Sequence, residues 1–516
     1  MTIPAGAASD EPMLATDMGR EHVRGSTLLV VGRIASMLFT VATQILIVRA
    51  LTKGEYGAFA YALALAAAGR TLLSLGQGKM LSRFMALYEE QRDFGRMFGS
   101  MALAAGTIAV TSTALVVTLF VTQDRLVGSV VDDRAAIDLL LILAFLAPLE
   151  ALDQVFVSLF AVFSKPRAIF VRKYLFTPAL RLAVVLVLVL TGASVTFLAV
   201  GYLAAQVVGF FVYVSLLIKV LRERGLLQHL RWRRLTLPFR AVFAFSLPLI
   251  TGELVFLAMN TGSVVMLGYF QTVEEVANYR AVFPSATLNK FIFSSFVTLF
   301  LPLAARLYAR NDHEGTRRTY WKTAVFLAVF TFPVFAMTGP FASATTETLF
   351  GARYAEASTV LALLSIGYYV NIALGFNTYT LQVYGRIRFL VCSNILVIVL
   401  SIGLNLLLIP DLGALGVGIA NGSTLIVQNV ITQLALRSTI GTGFVDRDYL
   451  RCYGVIALVA AALWGLDALA SPGLLVSMLA AASGSAAVLL LNRRVLDLAD
   501  TFPELLRVPV LRWLLR

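Results

Sequence analysis

Stretches of about twenty mostly apolar residues, separated by short polar or basic turns, recur along almost the whole chain. That is the length an α-helix needs to cross the hydrocarbon core of a bilayer, where each backbone amide must find its partner inside the helix. Fourteen such spans are predicted, at approximately 27–48, 57–78, 97–121, 136–162, 168–190, 194–218, 241–267, 277–301, 321–342, 355–380, 388–409, 413–436, 451–468 and 473–492. They predict an all-α polytopic membrane protein. Three polar segments fall outside them: an N-terminal tail over 1–25, a basic linker over 219–240 and a basic C-terminal tail over 493–516. The N-terminal tail lacks the apolar core of a signal peptide, so no cleaved leader is expected. In the linker, Leu226, Leu227, Leu230 and Trp232 stand among arginines, which predicts an amphipathic helix on the membrane surface; Leu505 to Arg516 has the same character. The plainer reading of both is a topology anchor with snorkelling arginines.

The pattern repeats. Residues 26–96 and 246–316 align without gaps at an offset of 220, with 11 identities in 71 positions, Thr52/Thr272 and Glu55/Glu275 among them. In so apolar a chain the identities weigh little, and the placement of rare residues weighs more. Charges inside spans are scarce and costly, yet Arg33 aligns with Glu253 and Arg70 with Lys290. Thr40 and Asn260 follow the first pair by seven residues, and Ser74 and Ser294 follow the second by four. Both spacings keep each set on one helical face. At an offset of 221, Ala161 to Arg167 aligns with Gln382 to Arg388, and Gly192-Ala193 with Gly413-Ala414. We therefore expect two pseudo-symmetric six-span lobes in the same orientation, 26–218 and 241–437, and two additional C-terminal spans within 450–492. Ionisable groups at matching depths in two related halves follow the logic of a secondary transporter, whose site lies between the halves near mid-membrane.

Composition narrows the class. At 59% hydrophobic and 14% charged residues, with a mean hydropathy of +0.83, the chain is no soluble domain. A net charge of +13 would suggest nucleic acid in a soluble protein; here its distribution is a topology signal and no nucleic-acid partner is expected. Of the 42 Lys and Arg, 32 fall in one set of alternating segments, Arg172 and Lys173 counted among them. Six (Arg49, Lys53, Arg125, Arg134, Arg280 and Arg353) fall in the other set, and Arg33, Arg70, Arg181 and Lys290 lie inside spans. The positive-inside rule puts the rich side, with both termini, in the cytoplasm; a multi-pass protein of the plasma membrane is expected. Cys392 and Cys452 lie in apolar stretches and His22, His229 and His313 lie far apart, so neither a disulfide framework, a metal site nor a cofactor is expected.

Several local stretches are similar to the polysaccharide-transport branch of the multidrug/oligosaccharidyl-lipid/polysaccharide (MOP) flippase superfamily. Gly25-Ser-Thr-Leu leads into the first span, and Leu51-Thr-Lys-Gly-Glu-Tyr-Gly57 resembles the branch's L-x-x-x-E-Y-G after it. Val383-Tyr-Gly-Arg-Ile-Arg388 resembles its turn after span 10. Asn405 to Ala420 resembles its N-x-x-L-I-P-x-x-G-x-x-G-A-A-x-A, departing mildly at Gly416-Val-Gly-Ile-Ala420. The resemblance covers about 25–440 and implies a MATE-like fold, with spans 1, 2, 7 and 8 lining a central cavity. It implies a flippase for a polyprenyl-pyrophosphate-linked oligosaccharide, a repeat unit of a surface polysaccharide, working by alternating access. The implied partners are that lipid-linked glycan and the bilayer, with a polymerase or glycosyltransferases as further candidates, and the chain is expected to be a monomer.

On that reading Arg33, Arg70 and Lys290 are the candidate pyrophosphate ligands. A diphosphate drawn into low dielectric needs several fixed cations, and guanidinium offers bidentate bonds. The bland alternative for each is structural pairing or snorkelling. Glu253 is a candidate gate, pairing with Arg33 or Arg70, or a site for a coupling ion; an intralobe pair with Lys290 is the alternative. Glu150 and Asp153 in span 4 face Arg181 in span 5 as an expected structural ion pair, with a cation site as the alternative, and Glu150 aligns with neutral Asn371. Thr40, Ser74, Asn260 and Ser294 are secondary polar candidates. Tyr368, Tyr369, Asn371, Asn377, Tyr379 and Gln382 cluster in span 10 and suit either sugar rings or a hydrogen-bonded core. Pro248 and Pro284 are hinge candidates. Competing functions are a drug/cation antiporter, against which three cations to one acid argue, and a lipid II flippase, whose cavity chemistry is the same. A membrane enzyme is disfavoured because the longest loop on the outer side, 122–135, is too short for a catalytic loop.

Overall fold

The computed structural model describes residues 32–496, apart from 75, 127–132, 164, 231–234, 241, 243–251, 256, 442 and 444–446. The N-terminal tail, Trp232 and its arginine neighbours, Pro248 and the segment from Leu505 onward lie outside the described residues. Among those described, no strand occurs, and 12 helices are long and apolar enough to cross a membrane. Two of the expected fourteen spans are missing from that number for separate reasons. Spans 11 and 12 run together as Ile387–Ile440, 54 residues with a break at Gly413 (φ 55°, ψ −133°). Span 8 is split into Val273–Ala286 and Asn289–Ala309 by a turn at Thr287 and Leu288, just beyond Pro284.

The break at Gly413 is built by its sequence. Pro410 has no amide hydrogen, and the left-handed φ of residue 413 is open to glycine alone at little cost. In lipid the freed backbone groups must be paired again. Gln271 donates to the carbonyl oxygens of Ile409 and Pro410, at 3.2 and 2.8 Å, and the amide of Ala414 donates to Glu275 at 2.7 Å. The repeat-matched Gly192 also stands at positive φ, 63°, and ends helix Thr177–Thr191. The matched acids have diverged. Glu55 closes a capping box with Thr52 and starts helix Lys53–Ser74, with mutual bonds at 2.9 and 3.3 Å, whereas Glu275 serves the break.

The chain divides into two compact units. The first comprises the described part of Met1–Leu51, Leu65–Asp124 and the described part of Ile137–Ile250. The second comprises Thr52–Ala64, the described part of Arg125–Ala136 and the described part of Thr251–Arg516. The expected lobe over 26–218 therefore loses residues 52–64 and the described part of 125–136 to the second unit. Small residues explain the first of these: Gly57 meets the Val273 backbone, the Tyr61 ring lies on Gly268, and Lys53 lies 4.0 Å from Glu356. In the first unit, Gln77–Glu90 packs on Leu146–Val162, and Val195–Glu223 packs on that helix and on Thr177–Thr191, around Met85, Phe160, Phe163 and Tyr213.

The linker corrects an expectation. Helix Val195–Glu223 carries its first basic residues, Gly225 ends it at φ 66°, and a single 3-10 turn, Leu226–His229, follows. Leu226 is buried in the first unit's core with Leu227 and Leu230 against it, and His229 stacks on Phe94 at 4.2 Å. Of the apolar side chains expected to enter the bilayer surface, Leu226, Leu227 and Leu230 are used by protein instead.

In the second unit Ala357–Ala373 packs against Ile387–Ile440, Val273–Ala286 and His313–Thr338. Association in lipid relies on close packing more than on the hydrophobic effect. Gly418 and Gly422, four residues apart, supply it: a Cβ on Gly367 would fall 2.7 Å from the Cα of Gly422. The two C-terminal spans, Arg447–Ala470 and Leu474–Leu491, join this unit by packing on His313–Thr338, with Leu463 and Ala481 in the same buried apolar cluster as Phe332 and Phe335.

Candidate functional site

Three consecutive helical stretches of the first unit, joined by Arg70 from Lys53–Ser74, assemble an ion network. Arg172 lies in a π-helical turn, Phe170–Phe176, that precedes Thr177–Thr191. Such wide turns re-aim side chains and recur at functional positions. Arg172 is only 3% exposed and forms an ion pair with Asp153. Its Nε also donates to the Gly209 carbonyl oxygen at 3.1 Å, and its guanidinium lies 4.4 Å from the Tyr213 ring centroid. Gly209 makes room for it: a Cβ there would stand 2.6 Å from Arg172 Nη2. Gln206 donates from Nε2 to Asp153 and accepts from Arg181 at 3.3 Å. Arg181 meets Glu150 Oε1 at 3.0 Å, and Arg70 meets Glu150 Oε2 at 3.6 Å. Three guanidiniums thus share two carboxylates, which leaves one positive charge in excess.

The expected contact of Arg181 with the Glu150–Asp153 pair is therefore present through Glu150, while Asp153 has a different cation. Arg172, counted among the loop charges, is buried inside a candidate span over Arg167–Thr191. The signal was Asp153 itself, since a mid-span carboxylate demands a counter-ion, and Arg172 sits within the predicted fifth span. Arg70 is not a lone cavity cation: it is shared with Glu150, and its side chain remains 35% exposed. Arg33 is half-buried, beside Gly32, which packs against Phe170 and Tyr174 of the π-helical turn.

In the second unit Lys290 stands in the first turn of Asn289–Ala309, directly after the break in span 8. Its Nζ lies 4.3 Å from the centroid of the Tyr368 ring, so two candidates chosen separately meet. Phe283 stacks edge-on to Tyr368 at 6.4 Å, Tyr279 follows at 5.5 Å, and Asn421 donates to the Tyr279 hydroxyl at 3.3 Å. Asn421 also donates to the Met259 carbonyl at 2.8 Å, which serves the π-helical turn Ala258–Gly262 where buried Asn260 sits. Asn289 is buried, and its Oδ1 has no hydrogen-bond partner among the described residues. Glu253 is exposed.

The remaining candidates make local contacts within their own elements or the core. Thr40, Ser74 and Ser294 turn their hydroxyls back to carbonyls of their own helices, at 2.8, 3.1 and 2.9 Å. Asn377 donates to Asn429 at 2.7 Å in the core, and Tyr369 stacks on Phe335 and donates to the Ala328 carbonyl. Tyr379 packs against Phe293 and Phe376, and Asn371 is half-buried in Ala357–Ala373. Among the described residues no group of three or more His, Cys, Asp or Glu is placed to hold a metal ion.

Comparison with known proteins decides the family. The model of a family described as polysaccharide biosynthesis protein matches residues 22–308, more than half of the chain. The chain belongs to that family. With it the chain falls in the MOP flippase superfamily, and solved structures carry the same fold. The lipid II flippase MurJ in its inward closed conformation superposes with a TM-score of 0.68 at 13% identity, covering 91% of this chain and 99% of MurJ. A multidrug resistance MATE family transporter in its inward-facing conformation gives 0.59 at 15% identity, covering 80% of this chain and 99% of its own. An outward-facing MATE structure gives 0.52 at 16% identity, covering 82% and 95%. No curated protein matched by sequence. This member of the polysaccharide biosynthesis family is thus a multi-pass membrane protein of MurJ- and MATE-like fold.

Proposed function

We propose that the chain translocates a polyprenyl-pyrophosphate-linked oligosaccharide from the cytoplasmic to the outer leaflet by alternating access, for surface polysaccharide biosynthesis. The observation that carries the reading is the cationic excess held within apolar spans in a polysaccharide biosynthesis family member. Arg70 is half-exposed at the end of a network with one unmatched positive charge, and Lys290 stands at a helix break against Tyr368. Broken helices and fixed cations are how transporters hold anionic groups at depth. Arg33, Arg70 and Lys290 bind the diphosphate, the sugar head passes with it, and the polyprenyl tail stays in lipid. Glu253 serves as gate or as the site of a coupling ion. The protein works as a monomer in the cytoplasmic membrane with both termini in the cytoplasm, and hands its cargo to a polymerase or takes it from glycosyltransferases. No catalytic chemistry is assigned.

A lipid II flippase is the second reading. It is favoured by the superposition with MurJ over 91% of the chain, a likeness of fold, and the diphosphate chemistry would be the same. A cation antiporter fits less well, because the excess charge repels a cationic cargo.

The test compares cells carrying the native protein, a deletion, and Arg70→Ala with Lys290→Ala at equal expression. Accumulation of lipid-linked oligosaccharide on the cytoplasmic face and loss of surface polysaccharide are expected for both the deletion and the double variant. Accumulation in the deletion alone would keep the function and remove these two residues from the site. An unchanged intermediate in the deletion, with no redundant flippase, would reject the substrate.

A further inference from the structure

The ion network is ordered. From Arg172 it runs through Asp153, Gln206, Arg181 and Glu150 to Arg70, and the exposure of its three guanidiniums rises in that order. Arg172 is 3% exposed and wedged against Gly209, whereas the side chains of Arg181 and Arg70 are 26% and 35% exposed. Glu150 divides its two oxygens between two cations. Oε1 takes Arg181 at hydrogen-bond distance, 3.0 Å, and Oε2 takes Arg70 at a looser 3.6 Å. Arg181 is held a second time by Gln206. If Arg172 left, Asp153 would lose its cation; if Arg181 left, Glu150 would lose its tighter partner. If Arg70 left, Glu150 would remain neutralised by Arg181. Removing one partner from a buried pair is costly when it strands a charge. Arg70 is the one guanidinium of the network that can change partner without stranding a carboxylate.

We propose that Glu150 is the resident counter-ion of Arg70, displaced by the phosphoryl oxygens of the cargo, and that this exchange sets the charge threshold for entry. The inference rests on the lipid-linked diphosphate reading above and names a specificity-determining residue for it. In the empty protein Glu150 parks Arg70, so that this guanidinium does not stand alone against the apolar interior. A ligand must outcompete a carboxylate that is already in place. A diphosphate, with more negative charge and several oxygens for a bidentate guanidinium contact, does so better than a monophosphate or a neutral headgroup. Arg181 and Gln206 are positioning residues: they keep Glu150 in place when Arg70 leaves.

The experiment uses the purified full-length chain and two probes, a polyprenyl diphosphate and a polyprenyl monophosphate of the same chain length, in mixed micelles. Apparent affinity falls with the fraction of protein that is binding-competent. If Glu150 leaves Arg70 free about one-tenth of the time, Glu150→Gln tightens diphosphate binding about tenfold. The same variant narrows the preference for diphosphate over monophosphate. Arg70→Gln weakens diphosphate binding, and in that background Glu150→Gln changes nothing further. Glu150→Asp, which keeps the charge but shortens the reach, shifts affinity in the same direction as Glu150→Gln and covers the case in which the amide variant does not fold.

Three results overturn the proposal. Glu150→Gln and Glu150→Asp leave affinity unchanged or weaken it while Arg70→Gln still weakens it; then only the counter-ion role falls. Glu150→Gln tightens binding equally with and without Arg70; then Glu150 acts through its general field and not through Arg70. The native chain fails to bind the diphosphate probe and Arg70→Gln makes no difference; then the substrate reading falls too.

Discussion

Asp153→Leu strands the most deeply buried charge in the first unit. Arg172 keeps its bond to the Gly209 carbonyl and its place over Tyr213, but at 3% exposure loses its only ion-pair partner among the described residues. Breaking a buried pair from one side costs about 3–5 kcal/mol, and a guanidinium cannot relieve this by losing its proton. Arg172→Met, the reciprocal change, should cost less, because the Asp153 carboxyl can take up a proton where the guanidinium cannot give one away. The double variant replaces the pair by apolar groups of similar size. It still leaves the Gln206 amide without its acceptor, a loss of about 1–3 kcal/mol. The expected order of destabilisation is therefore Asp153→Leu first, with the double variant close to Arg172→Met and well below the sum of the two single changes. Reversible unfolding of the purified protein in mixed micelles, extrapolated to native conditions, measures all three. Additive single effects, or a double variant worse than Asp153→Leu alone, would refute the view that each charge is there to neutralise the other.

Three further outcomes are expected. Gly413→Ala forces a residue with a side chain into left-handed φ and brings its Cβ to 2.6 Å from Glu275 Oε2, so it should lower thermal stability, and Glu275→Ala should do so by about 1–3 kcal/mol through the orphaned amide of Ala414. Gly57→Leu drives its Cβ into the Val273 carbonyl and should sharply reduce folded yield, while Gly54→Leu, with nothing within 4 Å, should not; equal yields would contradict the close approach. Tyr368→Phe keeps the ring beneath Lys290 and should retain translocation, whereas Tyr368→Leu removes a cation–π contact of about 0.5–2 kcal/mol and should slow it several-fold in a vesicle assay.

Span positions were legible because a bilayer imposes one length on every crossing, and the charges at 70, 150, 153, 181 and 290 stood out because apolar helices carry few. Partner choice was less legible. Spacing along one helix gives a face, not a neighbour, so Arg70 was read as a ligand-facing cation while the structure gives it Glu150. Arg172 was hidden for a similar reason: near the end of a span, a basic residue reads as a topology signal unless the carboxylate on the adjacent helix is considered with it. The linker was misjudged because amphipathicity cannot distinguish a lipid surface from a protein one, and Leu226 found the latter. The split in span 8 had a cue in Pro284, and the one at Gly413 in Pro410 with a glycine three residues on. The unit assignment of residues 52–64 had no sequence cue beyond Gly57, since close backbone approach depends on what arrives from elsewhere in the chain.

The central claim is tested most directly by translocation in reconstituted vesicles. The purified chain would be placed in liposomes with a polyprenyl-diphosphate-linked oligosaccharide confined at first to one leaflet. Its arrival in the other leaflet would be followed by an impermeant reagent that reacts with the sugar. The account predicts that the native chain equilibrates the lipid between leaflets far faster than protein-free vesicles, and that Arg70→Ala with Lys290→Ala abolishes this gain. Native protein that leaves the lipid where it was loaded, under conditions in which it remains folded and driven by a proton or sodium gradient, would contradict it.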